Sequence, residues 1–368
     1  MVSFVQICIW GVWFSKLAFY KLPAPTPFRE MLPVSVVIAA HNEYANLSQF
    51  LEHILAQNYP IFEVIIANDR STDKTSEWIE TWQRKASYLR EIRIEQTPQG
   101  FQPKKYALTQ AIQQAQYPIV LLTDADCLPA SSEWIKHMVQ HFDSTTEIVL
   151  GFSPYQIKAG WLNKIIQFET LYTAIQYLSF ALWGLPYMGV GRNVAYRKYL
   201  FDQAKAFEKH KHIVGGDDDL FINQKAHAQN TKICLSPQSF VYSLPKTTWK
   251  TWIIQKKRHL SVGKYYKPLH LWLLGIIQSS YLLFWLLFFP ILFFALTTYS
   301  AKKPLLLCTI LGLFLLRNSI FLLICRKITR LLHSQLRYLD LIILDTIFVF
   351  VWFYLAIWAN ISKKTNWA

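Results

Sequence analysis

Residues 34–43 read Val34-Ser35-Val36-Val37-Ile38-Ala39-Ala40-His41-Asn42-Glu43. The run up to Ala40 is β-branched and apolar without a regular polar alternation, which is typical of a parallel strand buried on both faces. The polar residues that follow end this run, and an apolar pattern at helical spacing then extends from Leu47 to Leu55. A buried strand, a polar turn and a helix in this order indicate the first unit of an α/β sheet.

The same order recurs further along the chain. We predict strands at 62–67, 90–95 and 119–122, and helices through Trp78 and over 103–115. Ser71 and Asp73 precede the helix at Trp78, and both residue types are favoured as helix caps. The alternation predicts an α/β fold with a mainly parallel sheet, and such sheets bind ligands at the carboxyl ends of their strands.

Carboxylates follow three of the predicted strands. Glu43 comes after the first strand, Asp69 after the second, and Asp124 and Asp126 after the fourth. Because the carboxyl ends of parallel strands meet at one edge of a sheet, we expect these side chains to lie close together. Asp124-Ala125-Asp126 presents two hard oxygen ligands on one turn, which suits Mg²⁺ or Mn²⁺ bridging to a diphosphate. The sequence therefore predicts a metal site at Asp124 and Asp126.

Both ends of the chain are apolar enough to enter a membrane. Hydrophobic residues make up 52% of the chain, and four stretches reach the length needed to span a bilayer as a helix: 2–20, 270–298, 304–325 and 340–361. A cleaved signal peptide is the alternative for the first stretch, but no basic region precedes it and no small-residue cleavage site follows it. We predict an N-terminal transmembrane helix at 1–21, an α/β domain at 30–245, a basic interfacial segment at 246–268 and three transmembrane helices over 269–368.

The charge distribution predicts the orientation. The formal net charge is +15, which favours anionic partners such as lipid headgroups and nucleotide phosphates. Nucleic acid is not expected as a partner, because no motif for binding it accompanies the charge. The loop between the last two apolar stretches carries Arg326, Lys327, Arg330 and Arg337, whereas the preceding loop carries only Lys302 and Lys303. The positive-inside rule places the Arg-rich loop, and with it the α/β domain, in the cytoplasm, as expected for a protein of the inner (plasma) membrane.

The five cysteines show no disulfide or zinc spacing, which agrees with a reducing compartment.

A series of short motifs, in order, resembles the inverting family 2 glycosyltransferases with the GT-A fold. The resemblance covers about residues 34–265, and its segments are 36–43, Asn68-Asp69-Arg70-Ser71-Thr72-Asp73-Lys74-Thr75, Pro103-Lys104-Lys105-Tyr106-Ala107-Leu108-Thr109, Asp124-Ala125-Asp126, Gly191-Arg192-Asn193-Val194-Ala195-Tyr196-Arg197 and Gly216-Asp217-Asp218-Asp219-Leu220. It departs from the family at four positions: Asn68 stands in the first acidic place, Pro103 in place of Gly, Thr109 in place of Asn and Gly216 in place of Glu.

The resemblance implies a role for each matching residue. Glu43 and Asp69 would contact the nucleoside, with Asp69 at the uracil, and Lys104 would lie near the nucleotide. The metal and the diphosphate would be held by Asp124 and Asp126. Asp217 would be the general base for the acceptor hydroxyl, with Asp218 as the alternative in the same triplet.

One further motif lies in the basic segment. Gln255-Lys256-Lys257-Arg258-His259 resembles the Q-x-x-R-W motif of membrane synthases and ceramide-glucosyltransferase-like enzymes, with His259 in place of Trp. The resemblance implies that Gln255 and Arg258 act at the donor, and a guanidinium is suited to pairing with a diphosphate. The alternative is that this basic run meets anionic lipid. His259 leaves the acceptor class and processivity open.

The implied function is transfer of a sugar from a nucleotide-diphosphate donor, a UDP-sugar by the same resemblance, to a lipid or lipid-linked acceptor at the membrane. A processive polysaccharide synthase is the first alternative, although three helices after the domain are few for a channel. A catalytically silent nucleotide-sugar-binding protein is the second, although it would be expected to have lost a carboxylate of the site. The aromatic stretch 161–183 is either a core helix or an interfacial floor for a lipid acceptor.

Overall fold

The computed structural model describes residues 1–23, 31–204, 207–297 and 303–361. These residues form two compact units. The sheet unit comprises Leu22–Lys158 and Phe180–Thr247, and the helical unit comprises Met1–Lys21, Ala159–Ser179 and Thr248–Ser362. The segment Ala159–Ser179 thus groups with the helical unit, although it lies inside the predicted domain of residues 30–245. Some of the predicted boundaries and loops lie outside the described residues. These are the domain start at residue 30, the end of an apolar stretch at residue 298, the loop residue Lys302 and the end of the chain at 362–368.

The sheet unit contains all the strands of the described chain. They are β1 (Val34–Ala40), β2 (Phe62–Asp69), β3 (Leu89–Ile94), β4 (Ile119–Asp124), β5 (Cys127–Pro129), β6 (Ile148–Leu150), β7 (Val194–Arg197), β8 (Thr231–Ile233) and β9 (Val241–Ser243). Seven of them form one sheet in the order β3-β2-β1-β4-β7-β6-β8, and β5 pairs with β9 in a small second sheet. The first four strands of that order are mutually parallel, and β7 is antiparallel to both β4 and β6. The predicted α/β fold with a mainly parallel sheet is confirmed.

The helices fall between the strands and at the two ends of the chain. They are α1 (Val2–Cys8), α2 (Ser15–Ala18), α3 (Tyr44–Leu55), α4 (Thr75–Gln83), α5 (Pro103–Gln114), α6 (Trp134–Val139), α7 (Trp161–Leu182), α8 (Lys198–Ala204), α9 (Asp219–Lys225), α10 (Trp249–Leu260), α11 (Pro268–Thr297), α12 (Lys303–Leu331) and α13 (Tyr338–Ile361). A π-helical turn, Ile9–Trp13, lies between α1 and α2.

The core of the sheet unit fixes the register that the site depends on. Every residue of β1 is buried, and each fully buried Val or Ile stabilises the fold by about 1.5–3 kcal/mol relative to exposure. Within this register Ala40 of β1 lies beside Asn68 of β2, and Ala39 lies beside Asp124 of β4. The three strands therefore end at the same level of the sheet, as the sequence predicted.

Three helices, α11, α12 and α13, are long and apolar enough to cross a membrane. The apolar stretch near the amino terminus is shorter, with helical structure over Val2–Ala18 interrupted by the π-helical turn. At 1.5 Å per residue it falls short of the roughly 30 Å of hydrocarbon that a spanning helix crosses. Whether it spans the membrane stays a prediction.

A buried polar network joins four elements of the helical unit. Arg317 of α12 donates to Asp345 of α13 and, at 3.1 Å, to the side-chain oxygen of Gln6 in α1. Gln6 in turn donates to Ser280 of α11 at 2.8 Å. Both charged side chains are almost fully buried. Because an unpaired charge among apolar helices is costly, this network favours one arrangement of the four elements.

Helix α7 packs by its middle turns within the helical unit. Phe168 and Tyr172 contact Phe348 of α13, and Glu169 forms an ion pair with Lys256 of α10 at 2.5 Å. These contacts favour the core interpretation of this stretch. A role as the floor for a lipid acceptor stays a prediction.

Candidate active site

The turns after β1 and β2 are joined by hydrogen bonds. The Asn42 side-chain oxygen accepts from the backbone N–H of Thr72 at 2.8 Å, and the Asn42 N–H donates to the Ser71 hydroxyl at 2.9 Å. Asn42 and Arg70 have φ values of 55° and 51°, the left-handed region that Asn tolerates best among residues with a side chain. The prediction that Ser71 caps α4 is therefore wrong, because the Ser71 hydroxyl binds the turn after β1 instead. Asp73 does accept from Thr75 in the first turn of α4, at 3.0 Å.

Glu43 directly follows this joined region and faces the carboxylates after β4. Burial raises the pKa of Glu43, a hydrogen bond from Asn46 opposes that shift, and the charges of Asp126 and Asp124 raise it further. Three carboxylates that influence one another in this way share one edge of the sheet. The expected convergence of Glu43, Asp124 and Asp126 is therefore present in the structure.

Asp69 ends β2 with a completely buried carboxylate that is already paired. Arg70 donates to it from Nε at 2.7 Å and from Nη2 at 3.1 Å, while the Arg70 side chain itself is 40% exposed. A bidentate pair of this kind holds the carboxylate in one orientation. A nucleoside bound here would meet the guanidinium of Arg70 together with Asp69.

Asp126 is held by the second sheet. Ser243 of β9 donates to one of its oxygens at 3.1 Å, and the thiol of Cys127 lies 3.4 Å from the other. Burial raises the pKa of Asp126, and the charge of Asp124 raises it further, while Arg192 opposes the shift. Burial and the neighbouring carboxylate thus both disfavour the charged form of Asp126.

Two hard carboxylates whose charges act on each other fit a divalent cation. Within the described residues no group of three or more His, Cys, Asp or Glu side chains is arranged as a metal site. Asp124 and Asp126 would therefore supply two ligands, with the remaining positions left to diphosphate oxygens and water, as Mg²⁺ sites commonly have.

Lys104 connects this edge to the acidic triplet. It lies in the first turn of α5, and its ammonium group is 2.9 Å from Asp124 Oδ1 and 3.1 Å from Asp217 Oδ2. Burial alone would lower the pKa of Lys104, but the charges of Asp124, Asp217 and Asp218 outweigh it and raise the pKa. Lys104 is therefore a permanent cation between two carboxylates that are far apart in sequence.

The first two aspartates of the triplet have different surroundings. Asp218 accepts from the backbone N–H of Gly191 and, at 2.8 Å, from that of Asp219, so that it caps α9. A Cβ at Gly191 would lie 2.9 Å from the Asp218 carboxylate, which explains the glycine. Burial and the charge of Asp217 raise the pKa of Asp218 to about 6.

Asp217 faces Lys104 instead. Burial raises the pKa of Asp217, but the ammonium group of Lys104, a backbone hydrogen bond and the charge of Lys105 together outweigh it, and the pKa falls below its usual value. Asp217 is therefore ionised at neutral pH and can accept a proton.

Sequence reasoning missed one residue near the site. The guanidinium of Arg192 lies over the ring of Tyr155, 4.3 Å from its centroid, and donates to the carbonyl of Ser153 at 3.2 Å. Its charge acts on Asp126, and its Nη1 is buried without a hydrogen-bond partner within the described chain. No spacing rule could have found it, because only the fold brings residue 192 close to residue 126.

Gln255 and Arg258 lie on α10, in the helical unit. Their expected action at the donor stays a prediction.

Comparisons with known proteins agree with this geometry. Residues 35–204 match the model of "Glycosyl transferase family 2". A "Probable glycosyltransferase YdaM" of Bacillus subtilis (strain 168) is 23% identical over 259 residues, which are 64% of this chain and 56% of that protein. The "Poly-beta-1,6-N-acetyl-D-glucosamine synthase" of Staphylococcus aureus (strain COL) is 28% identical over 142 residues, which are 38% of this chain and 33% of that protein. The chain thus spans about half the length of the first relative and a third of the second.

A solved structure shares the fold. It is the "Mannosyltransferase PcManGT from Pyrobaculum calidifontis in complex with GDP-Man and Mn2+", with a TM-score of 0.54 and 17% identity, over 98% of this chain and 97% of that one. The family match over the sheet unit, the named relatives and this shared fold agree with one another. The match identifies residues 35–204 as a glycosyl transferase family 2 region, and the name of the Bacillus relative and the shared fold agree with it.

Proposed function

We propose that this glycosyltransferase moves a sugar from a UDP-sugar to a hydroxyl group of a lipid or lipid-linked acceptor, with inversion at the anomeric carbon. The observation that carries the proposal is the position of Lys104 between Asp124 and Asp217. One ammonium group contacts both a carboxylate suited to the diphosphate side and a carboxylate suited to accept a proton. The two tasks of the reaction therefore meet in one site.

The chemistry divides between these two sides. Asp124 and Asp126 would hold Mg²⁺ or Mn²⁺ at the diphosphate, and such a cation neutralises charge that develops on the leaving group. Lys104 adds a fixed positive charge there, which stabilises the same charge without reorganisation. Asp217 removes the proton of the attacking hydroxyl as the new glycosidic bond forms. Because the attack is in line with the departing diphosphate, the product has the inverted configuration.

The choice of uracil rests on the turn that carries Asp69 and Arg70. The resemblance of this turn to the family motif implies a nucleoside contact at Asp69, and the exposed Arg70 side chain adds donors at the same place. The name of the staphylococcal relative, a synthase of an N-acetylglucosamine polymer, supports a UDP-linked hexosamine as the first donor to test.

A lipid or lipid-linked acceptor is proposed because three helices within the described residues are able to cross a membrane. The same helices and the Arg-rich loop support a sheet unit on the cytoplasmic side of the inner membrane, where nucleotide sugars are made available.

The orientation can be tested with fusions to a reporter that is active on only one side of the membrane. A reporter fused after residue 230 is expected to be cytoplasmic, and one fused after Ala368 is expected to lie across the membrane. The predicted loop is shorter in the structure, because α12 extends to Leu331 and includes Arg330. A fusion at Ser334, between α12 and α13, serves as a control and is expected to be cytoplasmic. The reverse pattern would contradict the proposed localisation.

A processive synthase is the second candidate, and the name of the staphylococcal relative favours it. The two candidates differ in their products. A single-transfer enzyme gives one lipid-extractable product whose mass increases by one sugar, whereas a processive enzyme gives a ladder of masses.

The experiment supplies membranes containing the protein with Mn²⁺ and a panel of nucleotide sugars, and the products are analysed by mass spectrometry. We expect a UDP-sugar to give a single addition to a lipid, absent from membranes without the protein. A ladder would support the second candidate. No product from any donor, with the protein folded, would support a silent nucleotide-sugar-binding protein.

A further inference from the structure

The segment that leads to Asp217, residues 207–216, has little regular structure of its own. It contains one 3₁₀ turn, Glu208–His210, and ends in Gly215 and Gly216, whose φ values are 78° and 70°. Glycine at positive φ loses more backbone freedom on folding than any other residue. The path of the chain into Asp217 therefore depends on contacts made from outside the segment.

These contacts come from the start of α5. The backbone N–H of Gln102 donates to the carbonyl of Lys211 at 2.7 Å, and its side-chain amide donates to the carbonyl of His212 at 3.3 Å. Lys105 extends to the carbonyl of His210, with Nζ 2.8 Å from the oxygen. Three successive carbonyl groups of the segment are thus bound by one helix end.

Lys105 is the unusual member of this set, because its side chain is only 1% exposed. Burial lowers the pKa of Lys105 to about 8, and the charges of Asp217 and Asp218 act in the opposite direction. A buried ammonium group is costly unless it is well paired, and an apolar side chain would fill the same space without that cost. Here the ammonium group is paired with the carbonyl of His210.

We propose that Lys105 is a positioning residue for the general base. It fastens residues 207–216 to the helix that also carries Lys104, and so keeps Asp217 against the Lys104 ammonium group. This inference rests on the proposed function, in which Asp217 removes the acceptor proton.

Two consequences separate this role from general stability. Lys105 acts on the position of the base, so its loss lowers kcat. The KM for the donor stays unchanged, because the donor binds at the other side of Lys104. Lys105 also acts through Asp217, so its loss has no further effect on turnover once Asp217 cannot accept a proton.

The experiment compares Lys105→Met, Asp217→Asn and the double variant in the same membranes. Methionine keeps an unbranched apolar side chain and removes the ammonium group. We expect Lys105→Met to lower kcat about ten- to a hundred-fold, as a misplacement near 1 Å does, and to change the donor KM by less than about twofold. In the Asp217→Asn background the same change is expected to leave kcat unaltered. Hydrogen exchange of residues 207–216 is expected to become faster in Lys105→Met.

Lys198→Met is the matched control. Lys198 also donates to backbone carbonyls of α5 and its carboxyl end, those of Gln113 and Ala115, at 3.0 and 2.7 Å. Its loss removes a similar contact at the other end of the helix, and kcat is expected to stay within about twofold of the unsubstituted protein.

The inference is overturned if Lys105→Met matches the unsubstituted protein, if it raises the donor KM alone, or if its effect is the same size in both backgrounds. It is also overturned if Lys198→Met reproduces the loss of kcat. Full activity of Asp217→Asn would instead contradict the proposed base. The hydrogen exchange of residues 207–216 would then still show whether Lys105 holds the segment.

Discussion

Replacing Asp217 with asparagine is expected to lower turnover about a hundred-fold or more, the loss typical of a removed general base. Asparagine has nearly the same shape as aspartate, but its amide cannot accept the acceptor proton. Nucleotide-sugar binding is expected to stay nearly intact, because Lys104 and Asp124 keep their contact on the diphosphate side. Turnover and donor affinity are measured in the same membranes. Donor affinity is obtained by adding increasing amounts of the nucleotide sugar and measuring the amount bound.

Asp218→Asn is the control for this prediction. Asp218 accepts one backbone N–H group with each of its two oxygens and caps α9. Asparagine loses the contact with Gly191, but its one side-chain oxygen can still accept at the helix N-cap. Turnover is therefore expected to stay within a few-fold of the unsubstituted protein. An inactive Asp218→Asn beside a normal Asp217→Asn would assign the base to Asp218. Normal turnover in both variants would place the base outside the triplet.

Replacing Asp126 with asparagine is expected to abolish turnover that depends on Mg²⁺ or Mn²⁺, while the protein still folds in the membrane. Burial raises the pKa of Asp126, so that its charge is held at a cost to folding, and a neutral amide of the same shape is tolerated. The loss would fall on the cation instead, because a metal ion held by Asp124 and Asp126 would lose one of its two protein carboxylates. Turnover is measured against cation concentration, with and without a chelator.

Glu77→Gln provides the matched control, since Glu77 is an exposed carboxylate on α4, outside the site. The turnover of Glu77→Gln is expected to depend on cation concentration in the same way as that of the unsubstituted protein. Full activity of Asp126→Asn, or activity of the unsubstituted protein that a chelator leaves unchanged, would remove Asp126 from the metal role.

The edge of the sheet was predictable because it depends on local patterns. Each of β1, β2 and β4 is an apolar run followed directly by polar residues, and parallel strands of this kind align at their carboxyl ends. The register of Ala39 beside Asp124 follows from that alignment. Glu43 and Asp126 consequently came together as expected.

The pairing across the site was not predictable in the same way. Lys104 meets Asp217 because α5 and the turn before α9 pack together, and no local pattern encodes a contact between residues so distant in sequence. The same holds for Arg192 beside Asp126. The capping role of Asp218 could not be assigned from the triplet either, because three consecutive aspartates offer the same side chain in different orientations.

The membrane segments show a further limit of composition. The stretch 161–183 is mostly apolar but is interrupted by polar residues such as Lys164 and Glu169, and such a helix suits a protein core and a membrane surface equally well. Its contacts with α13 and α10 in the helical unit, at Phe348 and Lys256, come from tertiary packing. The π-helical turn at Ile9–Trp13 contains no proline, so this sequence signal for a helix interruption is absent there.

The anomeric configuration of the transferred sugar is the most direct measurement of the central claim. Nuclear magnetic resonance of the first product, made from an α-linked UDP-sugar, gives this configuration from the coupling constant of the anomeric proton. A single in-line attack by a hydroxyl that Asp217 deprotonates predicts a β-linked product. An α-linked product would require two displacements or another course of reaction, and it would contradict the assignment of Asp217 as the base of an inverting transfer.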